Sequence, residues 1–169
     1  MRRQCGFTLI ELVASIVLAG IIAVFGGYFL VTGMKGELAA RQAATTGQKA
    51  EAALERIALE LRDASGGPGT GGAIAVRTSP ARIRYNSSLA ALGSGREINY
   101  DSANARITLT PGSGATVRTL IDGVSGCSVS FAGTGAASTV TLSFSLTGSE
   151  ASYSITIKPR ANTVTPVSG

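Results

Sequence analysis

The sequence predicts an α+β protein in which a long N-terminal helix, membrane-spanning in its first half and amphipathic in its second, packs on an antiparallel β-sheet. Three observations carry that prediction. Residues 12–31 hold no charged side chain, and at about 1.5 Å per residue they span a bilayer core of about 30 Å. Residues 37–64 then place apolar side chains three and four apart, the spacing of one helix face. Beyond them the period falls to two, most clearly in Val140-Leu142-Phe144-Leu146 and Tyr153-Ile155-Ile157, as in half-buried strands.

The first helix sets the topology. Arg2 and Arg3 precede the apolar run, while Lys35, Glu37 and Arg41 follow it with mixed sign, so the positive-inside bias puts the N-terminus in the cytoplasm and the C-terminal part across the membrane. A cleaved secretory signal carries its cut site after its apolar region. Here the candidate cut, after Gly6, comes before the apolar run.

Glu11 is the one carboxylate in this region. An acidic residue at the centre of a membrane helix costs roughly 2.5–3.5 kcal/mol and less near an end. Two physical readings follow: a single-pass anchor whose Glu11 snorkels to the cytoplasmic interface, or a carboxylate held for pairing. Glu11, Ser15, Ala19, Ala23 and Gly27 recur every four residues along one ridge. Four of them are small, which lets helix backbones approach closely in a membrane.

The segment Gly6-Phe7-Thr8-Leu9-Ile10-Glu11-Leu12-Val13, behind the short basic leader Met1 to Cys5, closely resembles the processing and assembly signature of type IV pilins and type II secretion pseudopilins. The resemblance implies cleavage between Gly6 and Phe7 by a prepilin peptidase, N-methylation of Phe7 by the same peptidase/methyltransferase, and subunit docking through Glu11. It also implies a pilin-like fold, partners among other pilin or pseudopilin subunits, and an inner-membrane assembly platform. Cleavage would leave an amine on Phe7 about one helical turn from Glu11, a charge partner that makes burial tolerable. Many major pilins carry a proline near the position of Tyr28. This chain has Gly26-Gly27 just before it, so any local melting falls to Gly20, Gly26 and Gly27, each costing about 1 kcal/mol relative to Ala in a water-exposed helix.

In the second half of the helix, Leu38, Ala50, Leu54, Ile57, Ala58 and Leu61 form the expected apolar stripe, with Glu51, Glu55, Arg56, Glu60 and Arg62 around the rest of the circumference. Arg56 and Glu60 are spaced for an i, i+4 pair. Ser65-Gly66-Gly67-Pro68-Gly69 ends the helix, because Gly supplies the left-handed cap and Pro cannot continue the ladder. A continuous helix from residue 7 to 64 would be roughly 87 Å long.

Further strands are expected at 74–78, 82–85, 97–100, 106–110, 117–121 and 127–131, and Pro159 with the polar residues after it reads as a loose tail. The organisation is a leader (1–6), a transmembrane and assembly helix (7–34), an amphipathic helix (35–64), one β-rich exported domain (65–158) and a tail (159–169). Within the pilin group, residues 54–64 and 120–131 look like segments of J-type pseudopilins and mannose-sensitive-haemagglutinin-type minor prepilins. Trp is absent and Gly numbers 22, which predicts a thin, β-rich core.

Composition narrows the chemistry. With no histidine in the chain, a Ser-His-Asp triad, a Cys-His pair and a His metal site are excluded. Beyond residue 64 the carboxylates are Glu97, Asp101, Asp122 and Glu150, too scattered for a calcium loop, though Glu97 and Asp101 are close enough to meet in a turn. The glycine-rich stretch 66–72 lacks a lysine at P-loop spacing. No enzyme activity, metal or cofactor is therefore expected. The net charge of +5 leaves residues 65–169 with eight basic against four acidic groups. That mild excess motivates an alternative, a minor pilin that binds DNA or a surface acid, but no aromatic-interleaved basic patch marks a nucleic-acid site. With Cys5 in the leader, Cys127 remains unpaired, and its alternation with Val129 and Phe131 reads as a buried small apolar residue rather than an intermolecular disulfide.

Overall fold

A computed structural model describes residues 8–67, 74–112, 114–133, 138–160 and 164–166. Among these residues lie one long helix, α1 (Leu9–Asp63), a short 3-10 helix (Ala90–Leu92) and ten strands. These are β1 (Ala64–Gly66), β2 (Ile74–Arg77), β3 (Arg82–Ser87), β4 (Arg96–Asp101), β5 (Arg106–Thr110), β6 (Arg118–Asp122), β7 (Val124–Ala132), β8 (Thr139–Leu146), β9 (Ser152–Ile157) and β10 (Val164–Pro166). The predicted class holds: an apolar N-terminal helix is followed by antiparallel sheet. Two compact units divide the chain at residues 45 and 46.

In the first unit, α1 runs without interruption through Gly20, Gly26, Gly27, Gly33 and Gly36. The glycines named above as sites of softening are helical, each with open space where a Cβ would stand. Leu38, expected on the amphipathic stripe, belongs to this unit and is exposed.

In the second unit, the last turns of α1 bury Ala50, Ala53, Ile57, Ala58 and Leu61. Spacings of three and four align these side chains on one face, which lies in the hydrophobic core with both sheets. The larger sheet runs β10-β2-β3-β4-β5-β6, with β1 pairing to β3. Register places Val76, Ile83, Ile98 and Leu109 side by side across four strands, and all four are buried. A second sheet, β7-β8-β9, lays Val129, Leu142 and Ile155 in one cross-strand row and Cys127, Phe144 and Tyr153 in the next. Phe144 and Tyr153 stack with ring centroids 5.6 Å apart.

The outward faces differ. The larger sheet carries Arg82, Arg84, Glu97 and Asp101, whereas the rows opposite the core in the second sheet are Ser128-Ser143-Ser154 and Ser130-Thr141-Thr156.

Three expectations change. The single expected sheet is two. Residues 64–66, read as part of the helix terminus, form β1 with Ala64 opposite Ser87. Residues 164–166, read as tail, form β10, which pairs in parallel with β2. Both additions pair with strands distant in sequence, so no local pattern announces them.

The chain passes from one sheet to the other at Gly123, whose φ of 72° lies in the left-handed region. Its carbonyl accepts a hydrogen bond from Thr147 N at 2.8 Å. A Cβ there meets no neighbour, so Gly123→Ala isolates backbone strain, with an expected loss of about 1–2 kcal/mol. Gly126 lacks a positive φ, and a Cβ on it stands 3.5 Å from Ser145 Oγ, an ordinary contact. Gly126→Ala is expected to change stability by less than about 0.5 kcal/mol. Thermal melting of the two variants checks the contrast.

Candidate functional site

Helix α1 starts where Thr8 O accepts hydrogen bonds from Glu11 N at 3.1 Å and Leu12 N at 3.2 Å. Glu11 is thus in the first turn, where the unsatisfied N–H groups of the helix end favour an anion. Among the described residues its carboxylate meets no partner side chain. Gly6 and Phe7, the expected cleavage and methylation positions, lie outside the described residues. The helix brings Glu11, Ser15, Ala19, Ala23 and Gly27 onto one ridge, as the spacing predicts. Ser15 folds its hydroxyl back to Leu12 O at 2.9 Å, so the ridge stays low.

Large apolar side chains surround this ridge and are uncovered. Their exposure runs from 49 % at Ile21 to 81 % at Leu9. A helix with that surface is complete only in lipid or against other helices. It is long and apolar enough to cross a membrane.

These features define a membrane-anchoring helix with a small-residue ridge and an acidic first turn. Residues 1–26 match the prokaryotic N-terminal methylation motif, the prepilin signal of type IV pilin-like proteins. Motif and helix together support a pilin-like protein that is processed by prepilin peptidase and assembles with other pilins. No curated protein and no solved structure matches the chain.

A second cluster, in the β-bearing unit, escapes sequence reading. Glu60, expected off the apolar stripe of α1, is only 7 % exposed. Its carboxylate accepts hydrogen bonds from Arg96 Nε at 3.0 Å and Arg96 Nη2 at 2.6 and 2.7 Å. Tyr85 donates its hydroxyl to Oε2 at 2.8 Å, and Arg56 supplies the expected i, i+4 contact. Arg96, 3 % exposed, also donates through Nη1 to the carbonyls of Leu92 and Pro111 at 3.0 and 2.8 Å. Burial pushes the Tyr85 phenol far above its usual range, and the neighbouring Glu60 charge pushes it further. One turn on, Asp63 accepts hydrogen bonds from the hydroxyls of Ser87 and Ser88, which hold its carboxyl below the usual range. The signal that could have found this cluster was the strand position of Arg96: it shares the inward face of β4 with Ile98.

The remaining candidates resolve individually. Glu97 and Asp101 do not meet in a turn. They lie four residues apart on β4, Glu97 paired with Arg82 and Arg84 and Asp101 with Arg106. No group of three potential metal ligands occurs among the described residues. Cys127 is half-buried and free, and burial pushes its thiol up to about 11.

Because Arg96 is buried, removing its carboxylate partner leaves an uncompensated charge. Glu60→Ala is expected to cost about 3–5 kcal/mol, whereas replacing both with Met in Glu60→Met/Arg96→Met should recover most of that loss. Denaturant unfolding of the two variants in detergent checks this. Equal losses in both would show that the pairing is not what holds the site.

Proposed function

We propose that this chain is a minor pilin or pseudopilin, cut between Gly6 and Phe7, N-methylated on Phe7 and built into a type IV pilus or a type II secretion pseudopilus. The observation that carries the reading is the N-terminal methylation motif over residues 1–26, continuous with an exposed apolar helix that begins at Leu9. In this reading the subunit sits in the inner membrane with its N-terminus in the cytoplasm and its β-domain in the periplasm. The assembly platform then extracts it into the filament. Its role is packing rather than catalysis, since no histidine exists in the chain and the carboxylates of β4 are engaged by arginine. The resemblance of segments 54–64 and 120–131 to J-type pseudopilins and mannose-sensitive-haemagglutinin-type minor prepilins supports a subunit of that kind.

Glu11 is the docking group of this reading. Once the leader is removed, the Phe7 amine of the same or a neighbouring subunit neutralises the Glu11 carboxylate as the small ridge of Ser15, Ala19, Ala23 and Gly27 packs against other helices. The alternative, capture of DNA or a surface acid, draws less support: Arg82 and Arg84 lie on Glu97, and Arg106 lies on Asp101.

Mass spectrometry of the protein from cells with an active prepilin peptidase should find an N-terminus at methylated Phe7. An intact Met1 or Arg2 terminus would remove the basis of the reading. Glu11→Ala should insert into the membrane normally but fail to enter filaments, read as its absence from the sheared filament fraction; wild-type incorporation refutes the docking role.

A further inference from the structure

Strand β9 is an open edge without the usual protection. Exposed edges are normally blunted by charge, proline, bulges or brevity, because their free N–H and C=O groups template pairing with another chain. The other outer strands show such devices. Strand β6 carries Arg118 and Asp122, β10 is three residues long and ends in Pro166, and β7 opens with a bulge between Val124 and Gly126 and lies beside β2. Strand β9, Ser152-Tyr153-Ser154-Ile155-Thr156-Ile157, has six regularly paired residues on its β8 side and neither charge nor proline within it. Among the described residues no strand pairs with its other side. Its core-facing Tyr153 and Ile155 are only partly covered.

We propose that this edge pairs antiparallel with β9 of a second copy of the chain, centred on Ile155, to give a continuous six-stranded sheet. The strand is self-complementary in that register. Ile155 meets Ile155 at the two-fold axis and Tyr153 meets Ile157 on the apolar side, while Ser154 meets Thr156 on the hydroxyl side. Directly opposed apolar pairs of this kind stabilise antiparallel sheets. Lys158, just past one end of the strand, falls opposite Ser152 and diagonal to Glu150 of the other copy, within reach of long side chains. Lys158 and Glu150 are both exposed, so the same register that covers the apolar row also sets opposite charges together. A slip by one residue would turn the apolar row of one copy onto the hydroxyl face of the other, which fixes the register. The pairing concerns the β-domain and stands apart from the filament reading.

The test uses the full chain in detergent with both native cysteines replaced (Cys5→Ser/Cys127→Ser). Directly opposed residues in antiparallel strands lie about 4.5–5.5 Å apart between Cα atoms, within disulfide range. Ile155→Cys should therefore give a disulfide-linked dimer under mild oxidation, and Ser154→Cys should not, whereas Ser154→Cys/Thr156→Cys should again cross-link. Ile155→Lys, which puts two like charges on the axis, should abolish the β9-dependent dimer measured by light scattering, with a lowered but still cooperative melting transition because the residue is half-buried against the core. Equal cross-linking at 154 and 155, a dimer unaffected by Ile155→Lys, or a monomeric parent chain would each overturn the proposal. Failure of leader processing would leave it untouched.

Discussion

A carboxylate at the end of α1 sits in a place where water is almost absent, and the architecture around it follows from the need to neutralise it. Glu60 would be untenable there alone, since an unpaired buried charge costs several kcal/mol. Arg96 answers it with a planar fork that binds both oxygens, and the same guanidinium spends its remaining hydrogens on the carbonyls of Leu92 and Pro111. One residue therefore ties the helix to β4, to the short 3-10 helix and to the end of β5. Tyr85 adds β3. The apolar contacts between helix and sheet are non-directional and would tolerate sliding, while a bidentate ion pair has one geometry. It is this pair that selects one register of helix on sheet.

Much of the architecture was legible because its causes are local. The membrane helix announces itself by twenty uncharged residues, and β8 by strict alternation that the burial pattern reproduces residue for residue. The N-terminal signature is compact and sequential, so the methylation motif over residues 1–26 is legible without any tertiary partner. What stayed hidden depends on partners far along the chain. Glu60 lay off the expected apolar stripe, and Arg56, one turn away, offers a sufficient explanation for it, while its principal partner is 36 residues distant. Strand β10 lay behind a proline in polar sequence and is defined only by its parallel neighbour β2. The division into two sheets rests on Gly123, whose significance is a backbone angle rather than a side chain.

The two units also differ in what completes them. The β-bearing unit buries its own apolar rows, with Ile57, Leu61, Ile83 and Leu142 almost fully enclosed. Among its described residues the helical unit encloses nothing of its own, and its order of small and large side chains makes sense only against lipid or neighbouring helices. Sequence could specify the pattern of that surface but not its occupant, because the occupant is outside the chain.

The hydroxyl rows of the second sheet carry a consequence for how the domain meets its medium. Ser128, Ser130, Thr141, Ser143, Ser154 and Thr156 cannot change charge between acid and alkaline conditions, and salt has little to screen among them. The larger sheet displays arginines and carboxylates whose attractions weaken as ionic strength rises. One face of this small domain thus keeps the same character in fresh water, brine or an acidified niche, while the other registers the difference.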